Sequence, residues 1–149
     1  MNFQIRRQAT SAVLALLWLG TVLACWSPAA EDKAKDPPKF TKTKSGLKYR
    51  ILRESKGKRP AASDTVTVHY RGWLDNKQEF DSSYKRKAPA TFPLNRVIPG
   101  WTEGVQLVGV GGKIELEIPS ELGYGKRGAG NVVPPNATLH FVIELISIK

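Results

Sequence analysis

Residue types that commonly carry enzyme chemistry are sparse in this chain of 149 residues. It contains one cysteine, Cys25, and two histidines, His69 and His140. Neither histidine has a serine or aspartate at a spacing that indicates a catalytic triad, and a single cysteine excludes a multi-cysteine zinc site. Asp81 has no partner carboxylate that the sequence singles out for acid-base work. The sequence therefore predicts chemistry without a metal, a cofactor or a covalent nucleophile.

One glycine-rich motif matches a nucleotide-binding pattern by its letters alone. Residues 123–128 (GYGKRG) read G-x-G-x-x-G, which binds a pyrophosphate when a strand leads into it and a helix leaves it. Here the next residues are also rich in glycine, and Pro134 and Pro135 follow within seven residues, so no helix can begin. We therefore expect no dinucleotide cofactor at this loop.

Aromatic residues are the remaining candidates for a functional site, and they are spread through every predicted element. Six of the 13 aromatic residues stand out: Tyr70, Phe80, Phe92, Trp101, Tyr124 and Phe141. Taken singly, aromatic residues in strands are most often core packing. Three motifs that surround them change this interpretation. These motifs are VIPGWTEG at 97–104, GYG at 123–125 and VVPPNATLHF at 132–141.

Together these motifs resemble the FKBP-type peptidyl-prolyl cis-trans isomerases, with the same order and spacing from about residue 44 to residue 149. The resemblance implies an α+β fold, in which a five- or six-stranded antiparallel sheet wraps around one short helix and leaves an apolar pocket. It also implies an enzyme that accelerates rotation of X-Pro bonds, acts on proline-containing polypeptides and needs no cofactor or metal. By matching position, the catalytic residues would be Tyr70, Asp81 and Tyr124. The substrate-binding residues would be Phe80, Phe92, Val97, Ile98, Trp101, Val133 and Phe141.

The resemblance also implies a role for each polar group of the pocket. Trp101 would form the floor, while the Ile98 N–H and the Tyr124 hydroxyl would contact substrate carbonyls. Asp81 would be an orienting acceptor rather than a general base. The large bacterial members of the family add a helical dimerisation domain. The short segment before the domain in this chain is rich in proline and lysine and does not resemble it, so we expect a monomer. A binding or chaperone module that uses the same pocket without catalysis is the alternative function.

Alternating side chains predict the strands that would position this pocket. Residues 65–70 alternate strictly, and residues 138–148 (TLHFVIELISI) place four apolar side chains on one face. Shorter strands are predicted at 47–52, 79–81 and 113–118. Only residues 99–108 have helical spacing, and Gly104 within them predicts a short helix held by packing. These elements are typical of an antiparallel sheet that covers one helix.

The amino-terminal residues resemble an export signal rather than part of a fold. Two arginines precede a 13-residue apolar run at 12–24 (AVLALLWLGTVLA), which is shorter than the ~20 residues that span a bilayer. We predict a signal peptide at 1–24 of an exported protein. The sequence at 22–25 (VLAC) resembles a bacterial lipobox with Cys25 as the lipidation site, whereas 27–29 (SPA) permits ordinary cleavage. These alternatives predict a membrane-anchored lipoprotein of the bacterial envelope or a periplasmic protein.

The net charge of +10 lies almost wholly in residues 1–59. Residues 31–59 carry 11 basic and 4 acidic residues, whereas residues 60–149 carry 10 and 9. Because the folded part is nearly neutral, we expect it not to bind nucleic acid. Residues 25–45 are predicted to be a flexible basic tether that could contact an anionic membrane surface, and residues 46–149 the isomerase domain.

Overall fold

The computed structural model describes residues 38–149, so the predicted signal peptide at 1–24 and Cys25 lie outside the described residues. Seven antiparallel strands form one sheet in the order β1-β2-β6-β7-β3-β4, and β5 pairs with the edge of β3 that β4 also uses. The strands are β1 (Thr41–Lys42), β2 (Lys48–Arg53), β3 (Thr65–Leu74), β4 (Glu79–Ser82), β5 (Ala90–Pro93), β6 (Lys113–Ile118) and β7 (Leu139–Ile148). The single α-helix of the described range, α1, spans Pro99–Val105. The predicted α+β class is confirmed, and the two-residue β1 and the short β5 raise the strand count above the five or six expected.

The sheet begins earlier than the predicted domain boundary at residue 46. Thr41 of β1 pairs with Tyr49 of β2, and the Thr43 N–H donates a hydrogen bond to the Leu47 carbonyl at 2.8 Å. Gly46 makes this hairpin with a φ of +98°, a backbone conformation that favours glycine. Residues 41–45 therefore belong to the fold rather than to the flexible tether that was predicted to extend to residue 45.

The two longest strands, β3 and β7, pair along the middle of the sheet and carry about half of the buried core residues. Their inward positions alternate with outward ones as the sequence predicts: Val66 and Val68 of β3 are fully buried, as are Ile143 and Leu145 of β7. The outward positions between them are at least partly exposed. Burying each such aliphatic side chain stabilises the fold by about 1.5–3 kcal/mol relative to exposing it.

Helix α1 lies against β6 of the sheet because glycines allow a close approach. A Cβ atom added at Gly104 would lie 2.5 Å from Cδ1 of Leu116, and one added at Gly100 would lie 2.5 Å from Cγ2 of Ile118. Pro99 occupies the first turn, where its missing N–H costs nothing. The helix ends at Val105, three residues before the predicted end. Within residues 38–149, no helix is both long and apolar enough to cross a membrane.

Candidate active site

A cleft of about 310 Å³ opens on the inner face of the sheet, beside the amino-terminal end of α1. It draws its walls from β3, β4, β5 and β7, together with the segment before α1 and one loop after β6. The lining residues are Tyr70, Phe80, Asp81, Phe92, Arg96, Val97, Ile98, Trp101, Tyr124 and Phe141. The structure therefore brings together nine of the ten residues that the resemblance implied for the pocket.

Val133 is the predicted residue that does not line the cleft. Its side chain is only 3% exposed and belongs to the hydrophobic core. Its backbone closes the loop that carries Tyr124, because the Val133 carbonyl accepts a hydrogen bond from the Ala129 N–H at 2.9 Å. Val133 is therefore not among the residues that line the cleft, and its role in substrate binding stays a prediction.

Trp101 forms the floor of the cleft and is packed by aromatic rings on several sides. Its ring makes edge-to-face contacts with Tyr70, Phe92 and Phe141, at centroid distances of 5.1, 5.6 and 5.2 Å. The indole N–H is buried and has no hydrogen-bond acceptor among residues 38–149. Such edge-to-face pairs stabilise ring positions beyond simple burial. The floor is therefore made of closely packed aromatic rings, with the indole N–H as its one polar group that is unpaired within the described range.

The β3 glycine, Gly72, creates the space in which two of these rings meet. A Cβ atom at Gly72 would lie 2.6 Å from Cε1 of Phe141 and 2.8 Å from Cζ of Phe80. These two rings pack edge to face at a centroid distance of 5.5 Å. Any larger residue at this inward position of β3 would push the rings into the cleft.

Ile98 presents backbone groups at the entrance to α1. Its carbonyl accepts hydrogen bonds from the N–H groups of Trp101 and Thr102, at 2.9 and 3.1 Å. Its own N–H finds no acceptor within residues 38–149. The Thr102 hydroxyl donates to the Leu94 carbonyl at 2.5 Å, which fixes the segment between β5 and the helix. The Ile98 N–H is thus a positioned donor beside the apolar floor.

Tyr70, Asp81 and Arg86 form a closed polar triangle at one wall. The Tyr70 hydroxyl donates to Oδ2 of Asp81 at 2.5 Å, Nη2 of Arg86 donates to the Tyr70 oxygen at 2.7 Å, and Nη1 of Arg86 donates to Oδ1 of Asp81. Burial alone would raise the pKa of the Asp81 carboxyl, but the hydrogen bonds from Tyr70 and Arg86 outweigh it and hold the pKa below its usual value. Burial and the Asp81 carboxylate raise the pKa of Tyr70. At neutral pH the triangle is therefore a phenol, a carboxylate and a guanidinium.

Tyr124 lies across the cleft on a loop built from short 3-10 turns. The turns span Ser120–Leu122 and Gly125–Arg127, and the Asn136 N–H donates to the Gly125 carbonyl at 2.8 Å to hold the loop. Burial, with the nearby charge of Asp81, raises the pKa of the Tyr124 hydroxyl, although the residue is 40% exposed. Its hydroxyl therefore remains protonated and available as a donor.

Sequence reasoning did not select two arginines that the structure places at the cleft. Arg86 follows Asp81 by five residues in a polar turn, and Arg96 precedes Val97 at the mouth. The signal available for Arg86 was its position close in sequence to Asp81, which is the only carboxylate among the pocket residues. For Arg96 the sequence offers none, because surface arginines are common. Within residues 38–149, no three His, Cys, Asp or Glu side chains are grouped to hold a metal ion.

Comparison with known proteins agrees with this geometry. Residues 56–146 match the family model described as FKBP-type peptidyl-prolyl cis-trans isomerase. The chain is 53% identical over 107 residues to the FKBP-type peptidyl-prolyl cis-trans isomerase FkpA of Aeromonas hydrophila, a match that covers 72% of this chain and 40% of that protein. It is 46% identical over 115 residues to the outer membrane protein MIP of Legionella longbeachae, which covers 77% of this chain and 49% of the relative.

The structure agrees with a solved relative as well. The crystal structure of FkpA from Escherichia coli superimposes with a TM-score of 0.72 at 48% sequence identity, over 74% of this chain and 51% of that chain. This chain thus spans about half the length, or less, of the relatives named here. The family match nevertheless extends over more than half of the present sequence. The chain belongs to the FKBP-type peptidyl-prolyl cis-trans isomerase family.

Proposed function

We propose that this protein accelerates cis-trans rotation of X-Pro bonds in exported polypeptides, with the proline bound in the aromatic cleft. The observation that carries the proposal is the enclosure of one apolar cleft by Trp101, the surrounding rings and a small number of fixed donors. Rotation needs no bond to be made or broken, so it requires neither a nucleophile nor a metal. The composition of the cleft matches that requirement.

The planar amide of an X-Pro bond is more polar than the twisted form through which it must rotate. Resonance makes the planar form more charge-separated than the twisted one, and the barrier to rotation is about 18–20 kcal/mol. A dry aromatic surface therefore favours the twisted form relative to water, and only such a difference in binding raises the rate. An acceleration of about 10⁵ needs about 7 kcal/mol of differential stabilisation. We assign this difference to the apolar enclosure together with one or two hydrogen bonds.

The polar groups would act by holding the substrate backbone on either side of the proline. Ile98 and Tyr124 both line the cleft, and we assign the Ile98 N–H and the Tyr124 hydroxyl to substrate carbonyls. The proline ring would lie on Trp101, whose indole plane is fixed by its ring neighbours. Phe80, Phe92, Val97 and Phe141 would exclude water around it.

Asp81 would position its neighbours rather than transfer a proton. Both of its oxygens accept hydrogen bonds from Tyr70 and Arg86, and the lowered pKa keeps it ionised at neutral pH. A general base would need a pKa nearer the working pH than the lowered pKa of Asp81. Tyr70 and Asp81 are therefore proposed as organisers of the catalytic wall, with no proton transfer in the reaction.

The proposed place of action is the bacterial envelope, with proline-containing exported proteins as substrates and the monomer as the working form. The apolar run at 12–24 after two arginines supports export, and one relative is named an outer membrane protein. Proline isomerisation takes tens to hundreds of seconds without catalysis, so it limits the folding of exported chains. The basic residues before β2 would contact anionic lipid in this setting.

A peptide assay tests the proposed activity. A tetrapeptide with a Leu-Pro bond, cleaved by a protease that accepts only the trans form, should isomerise faster in proportion to the concentration of this protein. Tyr124→Phe removes only a hydroxyl and should lower kcat/KM by about two- to tenfold, the effect of one hydrogen bond. Tyr49→Phe removes a hydroxyl outside the cleft and should leave kcat/KM unchanged. A rate equal to that of buffer would leave the non-catalytic binding module as the function.

A further inference from the structure

A second depression, of about 760 Å³, lies on the outer face of the sheet, opposite the aromatic cleft. It crosses β4, β3, β7 and β6. Alternation along β3 places Arg71 and Trp73 in it, while Tyr70 and Gly72 face the cleft side. We name this depression the outer groove. Its lining residues are Arg71, Trp73, Lys77, Glu79, Ser82, Tyr84, Lys85, Lys113 and Val142.

The outer groove is strongly basic although residues 60–149 as a whole are nearly neutral. Four of its lining residues are cationic, and Glu79 is the single carboxylate among them. At its edge, Glu144 is paired with Arg53 at 2.5 Å and adds no uncompensated negative charge. The groove therefore carries a net charge of about +3, which favours an anionic occupant.

Glu79 holds two of these cations in place at the wall of the groove. Its Oε2 lies 2.9 Å from Nε of Arg71, and its Oε1 lies 2.9 Å from Nζ of Lys85. The Glu79 side chain is only 18% exposed, against 56% and 74% for its two partners. The Glu79 carboxylate is thus largely buried beneath the two cations, which are exposed to solvent. The Arg71 side chain is 56% exposed, so its guanidinium can also bond to a carboxylate that approaches from solvent.

Aromatic surfaces lie directly beside these cations. Trp73 stacks on His140 with an interplanar angle of 12° and a centroid distance of 5.8 Å, and the Arg71 guanidinium lies 5.3 Å from the Trp73 ring. Tyr84 is 43% exposed and stacks on His69 at 4.9 Å. Rings supported in this way give large contact areas at little entropic cost. The groove therefore combines charge recognition with apolar contact.

We propose that the outer groove binds an acidic segment of the same polypeptide whose X-Pro bond is isomerised in the cleft. Carboxylates of that segment pair with Arg71 and Lys113, and an adjacent apolar side chain lies on Trp73. This inference rests on the proposed function, because it takes a polypeptide as the substrate. Cations that lie beside exposed aromatic rings match a polypeptide segment in which carboxylates alternate with apolar side chains. Binding there raises the effective concentration of nearby prolines at the cleft.

The test measures binding of a peptide that the cleft cannot use. A fluorescein-labelled 12-residue peptide without proline, in which Glu alternates with Phe and Leu, should bind the wild-type protein and bind less tightly as salt rises. Arg71→Gln combined with Lys113→Gln should weaken binding about tenfold, because two ion pairs are lost. The matched control combines Lys56→Gln with Lys58→Gln, two exposed lysines outside the groove, and should change affinity less than twofold. A peptide with Lys in place of Glu should not bind.

The competing outcomes overturn the inference in distinct ways. Equal weakening by the two double variants would mean a general charge effect with no outer site. Binding to phosphatidylglycerol vesicles that depends on Arg71 and Lys113, without binding of the acidic peptide, would assign the groove to a membrane surface. Isomerisation of the Leu-Pro tetrapeptide is measured in parallel, since it reports on the cleft alone. Acidic-peptide binding without tetrapeptide isomerisation would refute the proposed function and leave the groove as a polypeptide site.

Discussion

The Tyr70 hydroxyl donates a hydrogen bond to Oδ2 of Asp81 at 2.5 Å, and this contact joins the centre of β3 to β4 across one wall of the cleft. Arg86 binds both partners and completes a triangle in which every member is held by the other two. The same Tyr70 ring packs edge to face on Trp101, at a centroid distance of 5.1 Å. The polar wall and the apolar floor are therefore positioned together through Tyr70.

The first prediction concerns the charge of Asp81. Arg86→Ala removes one hydrogen bond and the only cation that contacts this carboxylate among residues 38–149, so burial is opposed mainly by Tyr70 and the pKa of Asp81 should rise. The folded-state pKa of Asp81 is depressed. Stability from its ionised form is thus present above the unfolded pKa and is lost as pH falls through the folded pKa. In Arg86→Ala this loss should occur at higher pH than in the wild type.

A carboxyl-carbon NMR titration of Asp81 checks this shift, and the pH dependence of kcat/KM should follow it. Arg59→Ala is the matched control, because it removes an exposed arginine that makes no ion pair within the described range. An unchanged Asp81 titration in Arg86→Ala would contradict the assignment of Arg86 to this triangle.

The second prediction concerns the packing of α1 against β6. Gly104→Ala places a Cβ atom 2.5 Å from Cδ1 of Leu116, so it should lower the free energy of unfolding by about 1–3 kcal/mol despite the better helix propensity of alanine. Leu116→Val opens space at the same contact. The combined variant should therefore lose less stability than the sum of the single changes. Urea denaturation measures all three, and strictly additive losses would contradict a clash at this contact.

Alternating and helical spacing of apolar residues predicted most strands of the sheet and the helix, because this spacing depends on which side chains face the core. Residues 65–70 alternate as predicted, yet β3 continues to Leu74 through Gly72. A glycine normally weakens a strand. Gly72 is required here because the rings of Phe80 and Phe141 fill the space that a side chain would need, and these contacts form only when β4 and β7 pair with β3. Likewise, β1 and β5 are too short for any period to be visible.

The residues of the candidate site that belong to sequence motifs could be predicted. The charged residues that the fold brings to the cleft from elsewhere in the chain could not. Nine pocket residues were placed by matching position, and they do line one cleft. Val133 faces the core because the loop folds back on Ala129, which a linear motif does not encode. Arg86 and Tyr70 are 16 residues apart in sequence, and their contact depends on the turn after β4 that brings the chain back to β3. The position of Arg96 depends on the packing of the segment before α1.

The third prediction concerns Cys25, which lies outside the described residues. If the sequence at 22–25 is a lipobox, the wild-type protein should incorporate labelled palmitate and sediment with membranes, since each buried methylene contributes about 0.8 kcal/mol to anchoring. Cys25→Ser should abolish the label and release the protein to the soluble fraction of the envelope. Ser27→Ala keeps the thiol and should remain in the membrane fraction. Membrane fractionation of Cys25→Ser would instead favour ordinary signal cleavage with attachment by another route.

The fourth prediction concerns substrate charge at the mouth of the cleft. Arg96 lines the cleft, is exposed and makes no ion pair within residues 38–149, whereas Asp81 is already occupied by Arg86. A tetrapeptide with Glu next to the Leu-Pro pair should therefore be isomerised with a kcat/KM about two- to fivefold higher than its Gln counterpart at low salt, as expected for an exposed ion pair. Arg96→Gln should remove this preference and Arg96→Glu should invert it.

Measurement of both peptides at low and high salt separates this local effect from the charge of the whole protein. Arg59→Gln changes the net charge by the same amount far from the cleft and should retain the preference for Glu. The Gln peptide should react equally with all the variants, because it offers Arg96 no charge. If Arg96→Glu kept the wild-type preference, the selecting group would have to be another cation near the cleft. Tyr124 precedes two candidates, Lys126 and Arg127, which would be the next positions to neutralise.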